Sequence, residues 1–175
     1  MSSSRKSAVA ALALAAGLII AGLAGCTGNS LDDAGAANVV LEVLSFDSPA
    51  VTGELLGGGG CGFTVTEWEV SLSALPINSL VGTPFNDVVM VSVDMVYVWD
   101  DALLSTPPRS VGLGSVVIPV SSTGSITFAP IGFTDLSSAF SGESAVITLT
   151  FRGHTVEGTA VTLQTSKQLL VESCV

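Results

Sequence analysis

The stretch Asp87-Val88-Val89-Met90-Val91-Ser92-Val93-Asp94-Met95-Val96-Tyr97-Val98-Trp99 decides the fold. It is dominated by valine, whose branched Cβ fits a pleated strand better than a helix. Lys, Arg and Gln, which favour helices, are absent from it. Read with period two, Val89, Val91, Val93, Met95, Tyr97 and Trp99 share one wholly apolar face. Val88, Met90, Ser92, Asp94, Val96 and Val98 share the other, which is mixed. A strand with these two faces belongs in the centre of a sheet that packs against a second sheet.

The same signature extends outward through the chain from Asn38. Val and Thr recur, and Gly, Pro, Ser and Asn punctuate short apolar runs. Strands are expected near Val39–Phe46, Phe63–Leu72, Asp87–Trp99, Ser115–Val120, Ser125–Phe128, Ala145–Arg152 and Glu157–Leu163. A last extended piece is expected at Gln168–Cys174. Ser122-Thr123-Gly124 reads as one turn and Gly153 to Gly158 as another. Thr134-Asp135 before Leu136–Phe140 reads as the cap of a single helical turn. Seven to eight strands in about 135 residues imply an all-β domain, an immunoglobulin-like or fibronectin-like antiparallel sandwich, with a small barrel as the alternative.

The first 25 residues have another character. Arg5 and Lys6 form a short basic region, and Ala8 to Ala24 is almost wholly apolar. That core is short for a spanning helix of about 20 apolar residues and suits a signal peptide. It ends in Leu23-Ala24-Gly25-Cys26, which resembles the lipobox of bacterial lipoproteins. The resemblance covers residues 1–26. It implies cleavage before Cys26, a diacylglyceryl group on the Cys26 thiol and attachment to a membrane of the cell envelope. Thr27 rather than Asp after the Cys implies, by the same resemblance, the outer membrane in preference to the inner one. Residues 26–37 then read as a small, polar, flexible tether, with Asp32-Asp33 solvating it, and residues 38–175 as the domain.

Five basic and fifteen acidic side chains give the whole chain a charge of −10. Loss of Arg5 and Lys6 with the leader makes the mature chain about −12, a field that repels nucleic acid. Of the three cysteines, Cys26 is the lipid site, which leaves Cys61 and Cys174. A remaining pair in an exported protein reads as a disulfide. The competing readings are two free thiols or a metal site, although two Cys without clustered His make a poor zinc set.

Candidate chemistry is sparse. Gly57-Gly58-Gly59-Gly60-Cys61-Gly62 has no Lys to make it a P-loop and reads as a loop that permits positive φ. His154 is the sole histidine, expected in an exposed hairpin turn, and no Gly-x-Ser-x-Gly elbow accompanies it. Glu67 and Glu69 flank Trp68, and Asp100-Asp101 follow Trp99. A hydrolase would need such acids to meet His154. Asp100, Asp101 and Glu54 could hold Ca²⁺ through oxygen ligands, without the spacing of a dedicated calcium loop.

Pro84-Phe85-Asn86-Asp87-Val88, Phe151-Arg152-Gly153-His154 through Gly158, and the terminal Cys174 together resemble uncharacterised envelope lipoproteins with an immunoglobulin-like sandwich. That resemblance implies a fold and no activity. The expectation is a non-enzymatic, lipid-anchored binding or structural module. It would need no cofactor or metal, and it would meet the membrane through Cys26 and an envelope protein through a sheet edge. The alternatives are an envelope hydrolase and a Ca²⁺-dependent carbohydrate-binding or adhesion domain.

Overall fold

A computed structural model describes residues 38–77 and 84–175. The leader, Cys26 and the tether lie outside the described residues. The described residues form nine strands: β1 (Val39–Asp47), β2 (Thr52–Leu55), β3 (Cys61–Thr64), β4 (Trp68–Pro76), β5 (Val88–Trp99), β6 (Arg109–Ile118), β7 (Ser122–Phe128), β8 (Ser144–Thr155) and β9 (Ala160–Leu170). A three-stranded sheet, β1-β4-β7, packs on a four-stranded sheet, β6-β5-β8-β9, and all neighbours within them are antiparallel. This is a fibronectin-like sandwich, with β2 and β3 added as a separate hairpin. Among the described residues the only helical turns are three short 3₁₀ pieces, at Pro84–Asn86, Phe133–Asp135 and Ser138–Phe140.

β5 is central, between β6 and β8. Its inward face is not the one a strict alternation assigns. Val88 and Met90 are buried at one end, and Val93, Met95, Tyr97 and Trp99 at the other. Val91, expected inside, is 42% exposed. The cause is a bulge. Met90 pairs with Gly153, yet Ser92 pairs with Arg152, so Val91 is an extra residue that reverses the phase. β6 answers with Leu113, Gly114 and Ser115 across the same gap, and Gly114 and Ser115 take positive φ. β8 needs a glycine here. A Cβ on Gly153 would stand 2.4 Å from the Val89 carbonyl oxygen and 3.0 Å from Met90 Sδ.

Several local expectations give way to longer-range pairing. Phe63–Leu72 is two strands: β3 stays in the hairpin, and β4 begins at Trp68 in the main sheet. Ser122-Thr123-Gly124 lies inside β7, and the turn falls one step earlier, where Ser122 N–H donates to the Pro119 carbonyl at 3.0 Å. Gly153 and His154 continue β8, and the turn is at Thr155 to Thr159, closed by Thr155 N–H to the Thr159 carbonyl at 2.8 Å. Gln168 belongs to the single long strand β9 rather than to a separate piece. The expected helical turn at 134–140 is two 3₁₀ turns, and neither has a side-chain cap.

The core is one cluster between the sheets. Phe46, Trp68, Phe128 and Phe151 form a chain of edge-on rings, with centroids 5.4, 6.4 and 5.9 Å apart. Trp68 is fully buried, and its indole N–H donates to the Pro49 carbonyl at 3.0 Å. Truncating a ring of that size typically costs about 3–5 kcal/mol.

The two sheets share their ends. At the N-terminal pole, Ile77 N–H donates to the Asn38 carbonyl at 2.9 Å and Ser121 N–H to the Ala74 carbonyl at 2.7 Å. Asp87 organises that pole. Its Oδ1 accepts from Val120 N–H at 2.9 Å, and its carbonyl accepts from Val156 N–H at 3.0 Å. The far pole holds the ends of β1, β5 and β9, the start of β4 and β8, and the β2–β3 hairpin.

Candidate functional site

Cys61 and Cys174 form a disulfide with Cα atoms 5.8 Å apart. It ties the hairpin to the segment after β9. Val51 reinforces that tie: its N–H donates to the Leu170 carbonyl at 2.9 Å, and its carbonyl accepts from Glu172 N–H at 2.8 Å. Gly53 is held by the same closure, since a Cβ there would lie 2.7 Å from the Glu172 carbonyl oxygen. The Gly57–Gly60 run is the hairpin loop. Gly58 and Gly59 take positive φ, and Leu56 N–H closes on the Gly60 carbonyl at 2.7 Å.

The residues proposed for hydrolysis are not brought together. His154 sits opposite Val89 near the N-terminal pole, half-buried in β8. Asp100 and Asp101 follow the other end of β5, and the ten residue steps between make roughly 33 Å at strand rise. Glu67 and Glu69 are also at the far pole, exposed on either side of buried Trp68. Asp100 and Asp101 have structural work. Ser144 Oγ donates to Asp100, and Asp101 Oδ1 accepts from Leu103 N–H at 2.9 Å, shaping the loop after β5. Glu54 is exposed on β2. Among the described residues no three His, Cys, Asp or Glu side chains converge as a metal set.

A polar cluster that sequence reasoning missed lies under the loop after β7. Tyr97 is buried and donates to the Pro130 carbonyl at 2.8 Å. Desolvation pushes its phenol up to about 12, opposed by the Arg109 charge and reinforced by Asp135. Arg109 Nη1 is buried without a hydrogen-bond partner. Both Arg109 and Asp135 crowd Gly132, where a Cβ would lie 3.1 Å from Arg109 Nη1 and 2.5 Å from Asp135 Oδ2. Arg109 enters this place by pairing with Met95 as β6 begins. The available signal was a lone Tyr among aliphatic inward positions, which needs a partner for its hydroxyl. Across the outer face of the four-stranded sheet, Arg152 Nε donates to Asp94 Oδ2 at 2.5 Å. That contact and the Ser110 hydroxyl hold the Asp94 carboxyl below the usual range.

The outer strands differ in regularity. β1 is bulged between Val43 and Ser45, and β6 is distorted at Gly114 and Ser115. β9 pairs with β8 without a register shift over its whole length. Among the described residues, its outer side hydrogen-bonds other backbone only at Leu170, through Val51, and β1 runs close to it. Lys167 on β9 stands 5.3 Å from the Phe46 ring centroid, a charge of the kind that discourages indiscriminate strand addition.

No family model matches this chain, and no curated protein matches it. Among solved structures, an X-ray structure of a Northeast Structural Genomics Consortium target superposes with a TM-score of 0.43 at 9% identity, covering 77% of this chain and 87% of that one.

Proposed function

We propose that this chain is a lipid-anchored protein of the bacterial cell envelope, outer membrane rather than inner, whose β-sandwich serves as a non-enzymatic binding or structural module. A diacylglyceryl group on Cys26 would hold it once residues 1–25 are removed. The observation that carries the reading is where the sandwich begins. β1 starts at Val39 on one pole, and among the described residues both sheets are built from Val39 onward. A lipid twelve residues upstream of Asn38 therefore leaves the sheets, their edges and the far pole free to meet a partner. The regular β9 edge is the favoured place for an envelope protein to add a strand. The hydrolase alternative loses support from the separation of His154 from Asp100 and Asp101.

The test is Cys26→Ser. The variant should leave the membrane fraction or keep the mass of the uncleaved chain. Wild-type fractionation and wild-type mass would refute the anchor.

A further inference from the structure

We infer that the outer face of the β6-β5-β8-β9 sheet binds a second copy of this chain, in a two-fold dimer where Asp94 of each copy pairs with Arg152 of the other. This partner goes beyond the lipid-anchor reading and stands whether or not Cys26 is acylated.

The face carries exposed apolar side chains in register. Val96 and Val98 of β5 and Val146 of β8 point outward at one end, and Val91 of β5 and Val117 of β6 at the other; all five are between 42% and 64% exposed. Val98 stands directly opposite Val146, and Val96 opposite Thr148. The inner face of this sheet is the core, so the outward valines leave apolar area that another sheet can cover.

Charge selects this face and its occupant. The described residues hold thirteen acids against three bases, Arg109, Arg152 and Lys167, so a second copy is itself strongly acidic. Among the outward positions of β6, β5, β8 and β9, Asp94 is the only acid and Arg152 the only Lys or Arg. Lys167 lies opposite buried Ile147 and turns to the Phe46 ring on the inner side. The pair leaves the face without net charge. The outer face of the three-stranded sheet instead presents Glu42 and Glu69 with no Lys or Arg. Acids also crowd the far pole, where Asp47, Glu69, Asp100, Asp101, Glu143 and Glu172 stand. Exposed Leu56, Leu103 and Phe133 lie two residues from Glu54, Asp101 and Asp135 respectively. A second copy seated on either of those surfaces would set acid against acid.

The Asp94–Arg152 pair is also self-complementary. Arg152 donates to Asp94 through Nε, and its side chain remains 58% exposed, open to a second carboxylate. A two-fold interface sets one patch against itself, so that each contact occurs twice with the roles exchanged. An axis along the strands, between β5 and β8, lays β5 of each copy on β8 of the other. Asp94 then comes within reach of Arg152 of the second copy, and Val96 and Val98 cover its Thr148 and Val146. Both N-terminal poles fall at the same end, so two tethered copies can pair on one membrane. The face spans four strands and the nine rows from Val146 to His154, roughly 550 Å² by strand spacing and rise. A standard interface takes about 800 Å² from each partner, so this dimer is weak in dilute solution and is best read by linking it in place.

The experiment links the full chain in whole bacterial cells with a short membrane-permeant bismaleimide, a readout independent of how the chain is anchored. Thr148→Cys puts a thiol near the centre of the face. Thr127→Cys, opposite Glu69 on the outer face of the three-stranded sheet, is the control. The wild-type chain sets the background from its own cysteines. The expected result is a product of twice the chain's mass from Thr148→Cys, severalfold above that from Thr127→Cys or the wild type. Asp94→Arg or Arg152→Asp, added singly to Thr148→Cys, should each reduce that product severalfold, because like charges then meet across the axis. The two variants, co-expressed on differently tagged chains, should link to each other and restore it. Neither a purely internal role for the pair nor misfolding of a variant would give that restoration. Equal linking at 148 and 127, no product at 148, a product whose mass shows a different protein, or no preference for the mixed pair would each overturn the dimer.

Discussion

Gly153→Ala tests the feature on which the inner face of β5 depends. The new Cβ would lie 2.4 Å from the Val89 carbonyl oxygen, on backbone that cannot rotate away. Reaching ordinary contact requires β5 and β8 to separate by roughly 1 Å near the N-terminal pole. Overpacking of this kind costs about 1–3 kcal/mol. The substitution also restricts the unfolded chain, which returns about 0.4–1 kcal/mol. The net expectation is a loss of about 1–2 kcal/mol, or roughly 3–10 °C in Tm for a domain of this size. Urea unfolding followed by fluorescence of buried Trp68 and Trp99 measures it. Gly60→Ala is the control, because nothing lies within 4 Å of its added Cβ and its φ is not positive. That variant should equal the wild type or exceed it by up to about 1 kcal/mol, since only the restriction of the unfolded chain acts there. If Gly153→Ala were as stable as Gly60→Ala, the close approach of β8 to the β5 bulge would be wrong.

Three other outcomes are expected. Replacing both Cys61 and Cys174 by Ser opens a loop of 113 positions, for which chain entropy gives about 4–5 kcal/mol; a denaturation midpoint unchanged between oxidised and reduced protein would contradict the tie. Tyr97 is the chain's one tyrosine, so phenolate absorbance reads it alone. It should titrate near pH 12, and because its folded pKa lies above the unfolded value of about 10, stability should be intact below pH 10 and fall between about pH 10 and 12; a midpoint at 10 would place the ring in water. Asp94→Asn should cost at most about 1 kcal/mol at neutral pH, since the pair with Arg152 is largely exposed. The folded pKa of Asp94 is depressed, so this contribution is present above about pH 4 and lost as the pH falls through the folded value; a cost that persisted with the carboxyl protonated would mean that the charge is not its source.

The division between what was legible in the chain and what was not follows the range of the interactions. Valine-rich alternation, glycine and proline punctuation and the scarcity of helix formers are local properties, and by themselves they determined an all-β sandwich. Cysteine arithmetic pointed to a Cys61–Cys174 pair once Cys26 was read as a lipid site, with free thiols or a metal site as the alternatives, and the structure closes the disulfide. Tertiary structure alone decided the rest. The phase reversal at Val91 depends on Gly153 of β8 and on positive φ at Gly114 and Ser115 of β6, which no window around Val91 contains. Trp68 ends the run from Phe63 because it pairs with Phe128 in the main sheet, whereas Phe63 pairs with Gly53 in the hairpin. The Tyr97, Arg109 and Asp135 cluster and the sorting of acids to one pole likewise come from pairings between distant segments. A strand's periodicity is carried by its own residues, but its register, and so which side chains meet, is decided by the strand beside it.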